Sequence, residues 1–329
     1  MKYSSRFASL LLFVAGARAG TTIWSGSFNA YSTVTDFDNC VYPLDLTSFK
    51  LIMSPLGSWS NEVGEYQWYI HGSQPTSHYL ALDPSFKNPA DTSETNGIRM
   101  TIDSGATWNS QMERCELIPQ TTANLGQGEL FYHFSLMHDS TDPPESTLEH
   151  QIAFFESHFT ELKYGVAPNA TNIQWMVQGV AQWGLPFTAG TWFNFAYDIN
   201  FSAGTVGLYA STGSDPLVRV VNNMAAPTST NSEDWHVGVL RIVNDATPEN
   251  FYFSGVYIEE GPITTAIGNG AAPPPVSSSS ASSSAPTSPP SSVPPSSVPP
   301  TSTSSAPAGP LQSQYGQCGG KLPKYNNHA

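Results

Sequence analysis

The chain has 329 residues and a formal net charge of −14, from 12 Lys and Arg against 26 Asp and Glu, and 12% of its residues are aromatic. This acidic balance argues against nucleic acid, an anionic membrane surface or a polyanionic polymer as partner, because each would be repelled on approach. We therefore expect a neutral ligand or substrate.

The first 19 residues predict a secretory signal peptide. A basic start precedes an apolar run over residues 7–15, and residues 17–19 (ARA) form an A-x-A cleavage site. The run is too short to span a membrane, and no later segment is apolar for long enough. We therefore expect a secreted, extracellular protein without a membrane partner. The sequons at residues 169–171 (NAT) and 200–202 (NFS) fit that route.

Residues 20–268 are expected to form one nearly all-β domain. Short segments alternate apolar and polar residues between Gly, Pro, Asn and Asp, and no long amphipathic helix is evident. Examples are 129-ELFYHFSLM-137, 191-TWFNFAYDINF-201 and 251-FYFSGVYIEE-260. Many short strands at this spacing predict a two-sheet antiparallel sandwich of the β-jelly-roll type, with a concave sheet face that forms a substrate groove.

Three of the predicted strands combine ionisable with apolar residues. They are 112-MERCELIPQ-120, 149-EHQIAFFESHFTELK-163 and 234-DWHVGVL-240. Because side chains alternate along a strand, Arg114 and Glu116 share one face of the first strand.

In the second strand, alternation predicts two mixed faces. One carries His150, Ile152, Phe154, Glu156 and His158, and the other carries Glu149, Gln151, Ala153, Phe155 and Ser157. Neither is cleanly apolar, so the pattern does not decide which face lines a groove.

In the third strand, alternation separates a polar face from an apolar one. Asp234 and His236 share a face with Gly238, whereas Trp235, Val237 and Val239 are predicted to lie in the core. Gly238 is expected to leave space for a ligand next to His236.

The last part of the chain changes in composition. Residues 269–311 are rich in Ser and Pro, which cannot bury a core, so we expect an extended, O-glycosylated linker. Three cysteines, Cys40, Cys115 and Cys318, leave at least one thiol without an intramolecular partner. No Cys or His spacing predicts zinc and no phosphate-binding loop is present, so we expect neither a metal nor a cofactor.

Two carboxylates that face each other across a cleft can cleave a glycosidic bond. One protonates the leaving oxygen, and the other activates water or attacks the anomeric carbon. Glu116 and Glu156 are the candidates, because Arg114 can hold one acid ionised while apolar neighbours such as Phe154 raise the pKa of another. The alternative is that each is a paired or exposed structural acid and His236 a structural histidine. The residues alone leave both interpretations open.

These stretches, together with 60-SNEVGEYQWYIHG-72 and 116-ELIPQTT-122, resemble fungal glycoside hydrolase family 131. The match runs in order over most of residues 20–260. The resemblance implies a β-jelly-roll domain that hydrolyses β-1,3, β-1,6 or β-1,4 linkages of β-glucans, with inversion of configuration. It also implies Glu116, Glu156 and His236 as catalytic residues, without deciding which glutamate is the acid.

Further residues near these strands are expected to bind the sugar chain. They are Arg114, Gln120, Gln151, His158 and Tyr69. For Tyr69 and the other aromatic residues of 65-EYQWYIHG-72, a place in the core is an equal alternative to stacking on sugar.

Two other functions remain open at this point. A polysaccharide lyase can share the fold, although a chain with few Lys and Arg is poorly suited to an acidic uronan. A catalytically inactive glucan-binding lectin would need only the aromatic residues.

Two segments depart from the family pattern. Residues 312–329 contain YGQCGG and resemble the start of a family 1 carbohydrate-binding module, but with one cysteine they lack the disulfides that so small a domain needs. We expect this truncated fragment not to bind cellulose, which a complete module would. Residues 40–57 have no counterpart in the family, and we interpret both segments as retained introns. The protein is expected to be a monomer.

Overall fold

A computed structural model of the protein describes residues 20–38, 66–231 and 234–268. The predicted signal peptide, the 40–57 insert, the linker and the truncated module lie outside these residues, as do Cys40 and Cys318. Cys115 lies within them as a buried free thiol. Among the described helices, none has the length and apolar character needed to cross a bilayer.

Within the described ranges the chain forms fifteen strands and four short helices. The strands are β1 (Thr21–Ser25), β2 (Tyr66–Ile70), β3 (Leu80–Asp83), β4 (Gly97–Ile102), β5 (Glu113–Pro119), β6 (Glu129–Met137), β7 (His150–Phe155), β8 (Thr160–Tyr164), β9 (Asn172–Val177), β10 (Val180–Pro186), β11 (Phe193–Asn200), β12 (Thr205–Thr212), β13 (Val218–Ala225), β14 (Trp235–Arg241) and β15 (Glu249–Glu260). The helices are α1 (Thr76–Tyr79) and three 3-10 turns (Phe28–Ala30, Val34–Asp38 and Pro84–Phe86).

The strands form two antiparallel sheets. One has the order β13-β12-β11-β6-β15-β4-β3, with β1 paired to β15, and the other has the order β10-β9-β8-β7-β14-β5-β2. Consecutive strands are neighbours at the sheet edges, whereas the centres pair strands from distant parts of the sequence, such as β6 with β15 and β14 with β5, as the crossing connections of a jelly roll require. The predicted all-β, two-sheet sandwich is confirmed.

The hydrophobic core fills the space between the two sheets. Trp235 of β14 lies in it, edge-on to Tyr132 of β6 with ring centroids 5.0 Å apart. Val237 and Val239 are buried in the same cluster, as the alternation of β14 predicted. The opposite face of β14, which carries His236, therefore looks away from the core.

Strand β7 departs from strict alternation. Ala153 has a φ of 46°, and the pairing of β7 with β14 shifts register at this point, which is the signature of a β-bulge. Ile152, Ala153 and Phe155 all lie in the core, whereas Phe154 packs outside it against His236. The predicted grouping of Ile152 with Phe154 is therefore wrong, because the bulge reverses the phase of the strand.

Candidate active site

Three adjacent strands bring the predicted catalytic residues to the outer face of the seven-stranded sheet. Strand β14 lies between β5 and β7, with Gly238 opposite Glu116 and His236 opposite Phe154. Glu156 directly follows β7. Residues far apart in sequence thus meet at the centre of one sheet.

Glu116 is completely enclosed, with a side-chain exposure of 0%. Arg114 donates two hydrogen bonds to it, from Nε to Oε1 at 2.6 Å and from Nη2 to Oε2 at 3.0 Å. His236 Nδ1 contacts Oε2 at 2.5 Å. A buried carboxylate needs such charge-assisted partners, because an uncompensated one is strongly destabilising.

His236 bridges the two glutamates. Its Nδ1 faces Glu116, and its Nε2 lies 3.2 Å from Oε2 of Glu156. Phe154 stacks on the imidazole, with centroids 4.5 Å apart and an interplanar angle of 16°. Burial lowers the pKa of His236, but the hydrogen bond and charge of Glu116 outweigh it and raise the pKa above its ordinary value. The imidazole thus favours the charged form, in which both nitrogens donate.

Glu156 is the open member of the pair. Its side chain is 66% exposed, and its backbone N–H donates to the carbonyl of Asp234 at 3.0 Å. The hydrogen bond from His236 lowers the pKa of Glu156, against a smaller effect of burial. Glu156 is therefore an ionised carboxylate that a ligand can reach directly, whereas Glu116 is held behind it.

Gly238 has a different role from the predicted one. A Cβ at this position would lie 2.2 Å from the carbonyl oxygen of Cys115 and 2.7 Å from Cα of Glu116. The space beside Gly238 is therefore filled by β5 and is not available to a ligand, so the predicted groove role is wrong. The glycine instead lets β14 approach β5 closely enough for His236 to reach Glu116.

A tryptophan that the sequence interpretation missed lies next to Arg114. The guanidinium carbon of Arg114 is 5.5 Å from the ring centroid of Trp108, and Tyr69 meets Trp108 edge-on at 5.6 Å. Trp108 and Tyr69 are both partly exposed. The sequence feature that could have indicated this residue is a single large aromatic side chain in the polar loop 103-DSGATWNSQM-112.

Backbone contacts hold this loop against the sheet. Arg114 N–H donates to the carbonyl of Ala106 at 2.7 Å, and Thr107 forms an isolated bridge with Glu113. These contacts fold the loop back so that its first large side chain, Trp108, covers Arg114.

The other predicted sugar-binding residues lie at different distances from the pair. His158 stacks on Phe154 at 5.3 Å and contacts Glu161 through Nδ1 at 3.0 Å, so it adjoins the site. Gln151 lies opposite Leu240 of β14, and its amide donates to Glu149 at 3.2 Å.

Gln120 is buried just after β5, and its amide donates to the carbonyl of Pro119 at 3.3 Å. That hydrogen bond is local to the end of the strand. Arg114 contacts Glu116, His158 contacts Phe154, and Tyr69 contacts Trp108, which lies against Arg114.

Asp234, which had no predicted role, adds a third carboxyl group near Glu156. Burial raises its pKa to about 6, the charge of Glu156 raises it as well, and His236 acts in the opposite direction. The pKa of Asp234 thus lies well above that of an ordinary aspartate. Within the described residues, no group of three or more His, Cys, Asp or Glu side chains could hold a metal ion.

Comparisons with known proteins agree on one family. The sequence model of the glycoside hydrolase 131 catalytic N-terminal domain matches residues 22–264. The crystal structure of the catalytic domain of a glycoside hydrolase family 131 protein from Coprinopsis cinerea is 62% identical, with a TM-score of 0.68, over 77% of this chain and 100% of that one. A GH131 β-glucanase catalytic domain from Podospora anserina is 48% identical, with a TM-score of 0.67, over 76% and 100%. No curated protein matches the chain.

Proposed function

This chain belongs to glycoside hydrolase family 131 and is a glycoside hydrolase, and we propose that its substrates are β-glucans and that Glu116, Glu156 and His236 catalyse their hydrolysis. The β-glucanase activity printed for the relative from Podospora anserina supports the substrate class. The acidic chain favours a neutral polymer for the same reason, since like charges repel. Family membership favours hydrolysis over the lyase and lectin alternatives.

The observation that carries this proposal is the bridge that one imidazole makes between two carboxylates. His236 contacts Glu116 on one side and Glu156 on the other. Two carboxyl groups on one sheet face, one enclosed and one open, have different environments, and such a difference separates acid and base roles.

We assign the base role to Glu156, because it is ionised and open to water. The acid role then falls on Glu116, which acts through the imidazole of His236 that lies between it and the open side of the site. Water attacks the anomeric carbon and loses a proton to Glu156, and the leaving oxygen takes a proton from the acid side.

Inversion of configuration is part of the proposal. The two carboxylates are separated by the width of the imidazole ring and a contact on each side of it. Inverting pairs are spaced by about 6.5–9.5 Å to leave room for water, whereas retaining pairs lie about 5–5.5 Å apart. The bridging ring supports the wider spacing. The sugar linkages (β-1,3, β-1,6 or β-1,4) are proposed from the family resemblance.

The aromatic pair beside Arg114 is proposed as part of the sugar-binding surface. Trp108 contacts Arg114 and Tyr69 and is partly exposed. A flat aromatic ring held in this way suits stacking on the apolar face of a pyranose. Trp108 therefore joins Arg114, Tyr69, His158 and Gln151 in the proposed binding surface, whereas Gln120 is buried and its amide bonds Pro119.

Secretion is proposed as well, on the signal peptide and the two sequons. Asn169 lies exposed in the turn between β8 and β9, where an attached glycan would not disturb the core.

The test is a product analysis by mass spectrometry. The protein is incubated in ¹⁸O-water with laminarin, mixed-linkage glucan, cellulose and glucuronan, beside Glu116→Gln, Glu156→Gln and, as control, Glu145→Gln in an exposed loop. We expect glucan oligosaccharides with one added ¹⁸O, lost in the first two variants and kept in the third. Unsaturated products from glucuronan would identify a lyase, and full activity in either catalytic variant would overturn its assigned role.

A further inference from the structure

Glu259 near the end of β15 is a buried carboxylate, 1% exposed. Oε1 of Glu259 contacts Nε2 of His133 at 3.0 Å and accepts a hydrogen bond from the backbone N–H of Thr264 at 2.5 Å. Oε2 accepts a hydrogen bond from the hydroxyl of Thr264 at 2.7 Å. Burial raises the pKa of Glu259, but the hydrogen bonds from His133 and Thr264 outweigh it and hold the pKa below its ordinary value. Glu259 is therefore ionised.

No full positive charge opposes Glu259 among the described side chains. Burial lowers the pKa of His133 in spite of the nearby carboxylate, which disfavours the charged form of the imidazole. Within the described part of the chain, no Lys or Arg forms an ion pair with Glu259. Hydrogen bonds already hold this carboxylate, and a cation that reached it would add an ion pair to them.

Gly20 lies against this carboxylate. Its backbone N–H donates to Oγ1 of Thr264 at 3.1 Å, and the same hydroxyl donates to Glu259. A Cβ at residue 20 would lie 2.5 Å from Oε2 of Glu259 and 2.5 Å from the carbonyl oxygen of Glu260. Only glycine fits this close approach. Gly20 is also the residue that follows the predicted A-x-A cleavage site.

We propose that removal of the leader after Ala19 frees the amino group of Gly20, and that the resulting ammonium is the counter-charge of buried Glu259. In the cleavage, water adds a hydroxyl to the carbonyl of Ala19 and a proton to the nitrogen of Gly20, which binds a further proton to become charged. The amide has one N–H, which is used on Thr264, whereas the ammonium has three. One can stay on Thr264 while another turns to Glu259.

The position of the cut suits this role. Strand β1 begins at Thr21, which pairs with Glu260, and the next residue, Thr22, pairs with Glu259. Cleavage after Ala19 therefore leaves a single residue in front of the strand, and that residue reaches the carboxylate. Through Thr264 the same contact fastens the segment that follows β15. Processing would thus complete an ion pair between the two ends of the folded domain.

The first test identifies the N-terminus. The full chain is secreted from a eukaryotic host, and its N-terminal peptide is identified by mass spectrometry. We expect Gly20 as the first residue. A mature chain that begins before or after Gly20 would overturn the proposal.

The second test measures the energetic coupling between the amino group of Gly20 and Glu259. Two forms are prepared by cleaving a removable fusion partner, one that begins at Gly20 and one that keeps Ala19, each with the parent sequence and with Glu259→Gln. Keeping Ala19 should lower the Tm of the parent by several degrees, because it moves the charge away, and should leave the Tm of the Glu259→Gln form unchanged. Equal losses in both backgrounds would overturn the ion pair.

A third measurement applies if the Glu259→Gln form does not fold. The pKa of the Gly20 amine is obtained from the pH dependence of its acylation in the parent. The groups that face it are Glu259 and Glu260 of β15, Thr264, and His133 behind Glu259. The pair should raise this pKa above the usual range of about 7.7–8.0, and an ordinary value would overturn the proposal.

Discussion

Nδ1 of His236 lies 2.5 Å from Oε2 of Glu116, and this contact fixes the direction of the imidazole. With Nδ1 committed to the buried carboxylate, Nε2 points to Glu156 on the open side. Arg114 holds Glu116 from the other side, so the order of groups is set from the interior outward.

Replacing His236 should impair catalysis and shift its pH dependence. The hydrogen bond from His236 lowers the pKa of Glu156, so His236→Gln should return this pKa towards its ordinary value. Because a general base must be ionised, the acidic limb of kcat/KM should move to higher pH, with a loss of kcat of about 10²–10⁴-fold. His78→Gln is the control, since His78 is exposed and contacts Asp103 instead of Glu156. If the acidic limb of kcat/KM stays at the same pH in His236→Gln, the result would contradict Glu156 as the base.

Removing the charge of Arg114 should destabilise the protein. Arg114→Met leaves Glu116 enclosed with one partner fewer, and breaking a buried pair in this way costs about 3–5 kcal/mol in the free energy of unfolding. Lys163→Met breaks a more exposed pair with Glu149 at 2.8 Å and a longer one with Glu161 at 3.6 Å, and should cost less than Arg114→Met. Urea denaturation measures both. Equal losses would mean that the enclosure of Glu116 has no energetic consequence.

Truncating Trp108 should weaken substrate binding more than turnover. Trp108→Ala should raise KM for long oligosaccharides by about tenfold, which corresponds to roughly 1.4 kcal/mol of lost stacking. Trp108→Phe should keep most of the affinity. Tyr209→Ala is the matched control, because Arg219 lies 4.4 Å over the ring of Tyr209 on the other sheet. A uniform loss of kcat at every chain length would instead indicate that Trp108 only packs against Arg114.

Adding a methyl group at Gly238 should affect the fold before it affects binding. The new Cβ of Gly238→Ala would meet the backbone of β5 at 2.2 Å, and the two strands must separate at a cost of about 3 kcal/mol or more. Gly128→Ala is the comparison: it has a positive φ but open space, and should cost about 1 kcal/mol. A Gly238→Ala protein of normal stability and raised KM would restore the groove interpretation.

Asp234 should oppose folding near neutral pH. An acid whose folded pKa is raised to about 6 binds its proton more tightly when folded, so its contribution to stability falls as pH rises from about 4 to about 6. Asp234→Asn should therefore raise the Tm at pH 7 and change little at pH 3.5. Asp245→Asn should do the opposite, because hydrogen bonds from Thr247 lower the pKa of Asp245. Thermal melts between pH 3.5 and pH 7 measure whether each substitution raises or lowers the Tm.

The alternation of side chains correctly predicted which residues share a face in two of the three site strands, β5 and β14. Trp235, Val237 and Val239 lie in the core, and Arg114 and Glu116 share a face, because β5 and β14 keep a regular pleat. The all-β sandwich could be predicted for the same reason, since its signal repeats in many strands.

Other features depend on contacts that a local pattern does not contain. A positive φ at Ala153 has no signature in an alanine, so the bulge in β7 could not be foreseen. The space at Gly238 is filled by a strand more than one hundred residues away in sequence, and Trp108 covers Arg114 only because its loop folds back on β5.

The positive φ at Ala153 links the core packing of β7 to the position of the catalytic groups. Ile152 faces the core and Phe154 faces the imidazole although only Ala153 stands between them, because the two steps from Ile152 to Phe154 lie opposite three steps of β14, from His236 to Val239. A side chain at residue 153 that resists a positive φ, such as valine, would restore strict alternation, turning Phe154 inward and moving Glu156 away from His236. The backbone conformation of one core residue thus keeps the catalytic face of the sheet in phase with its packing face.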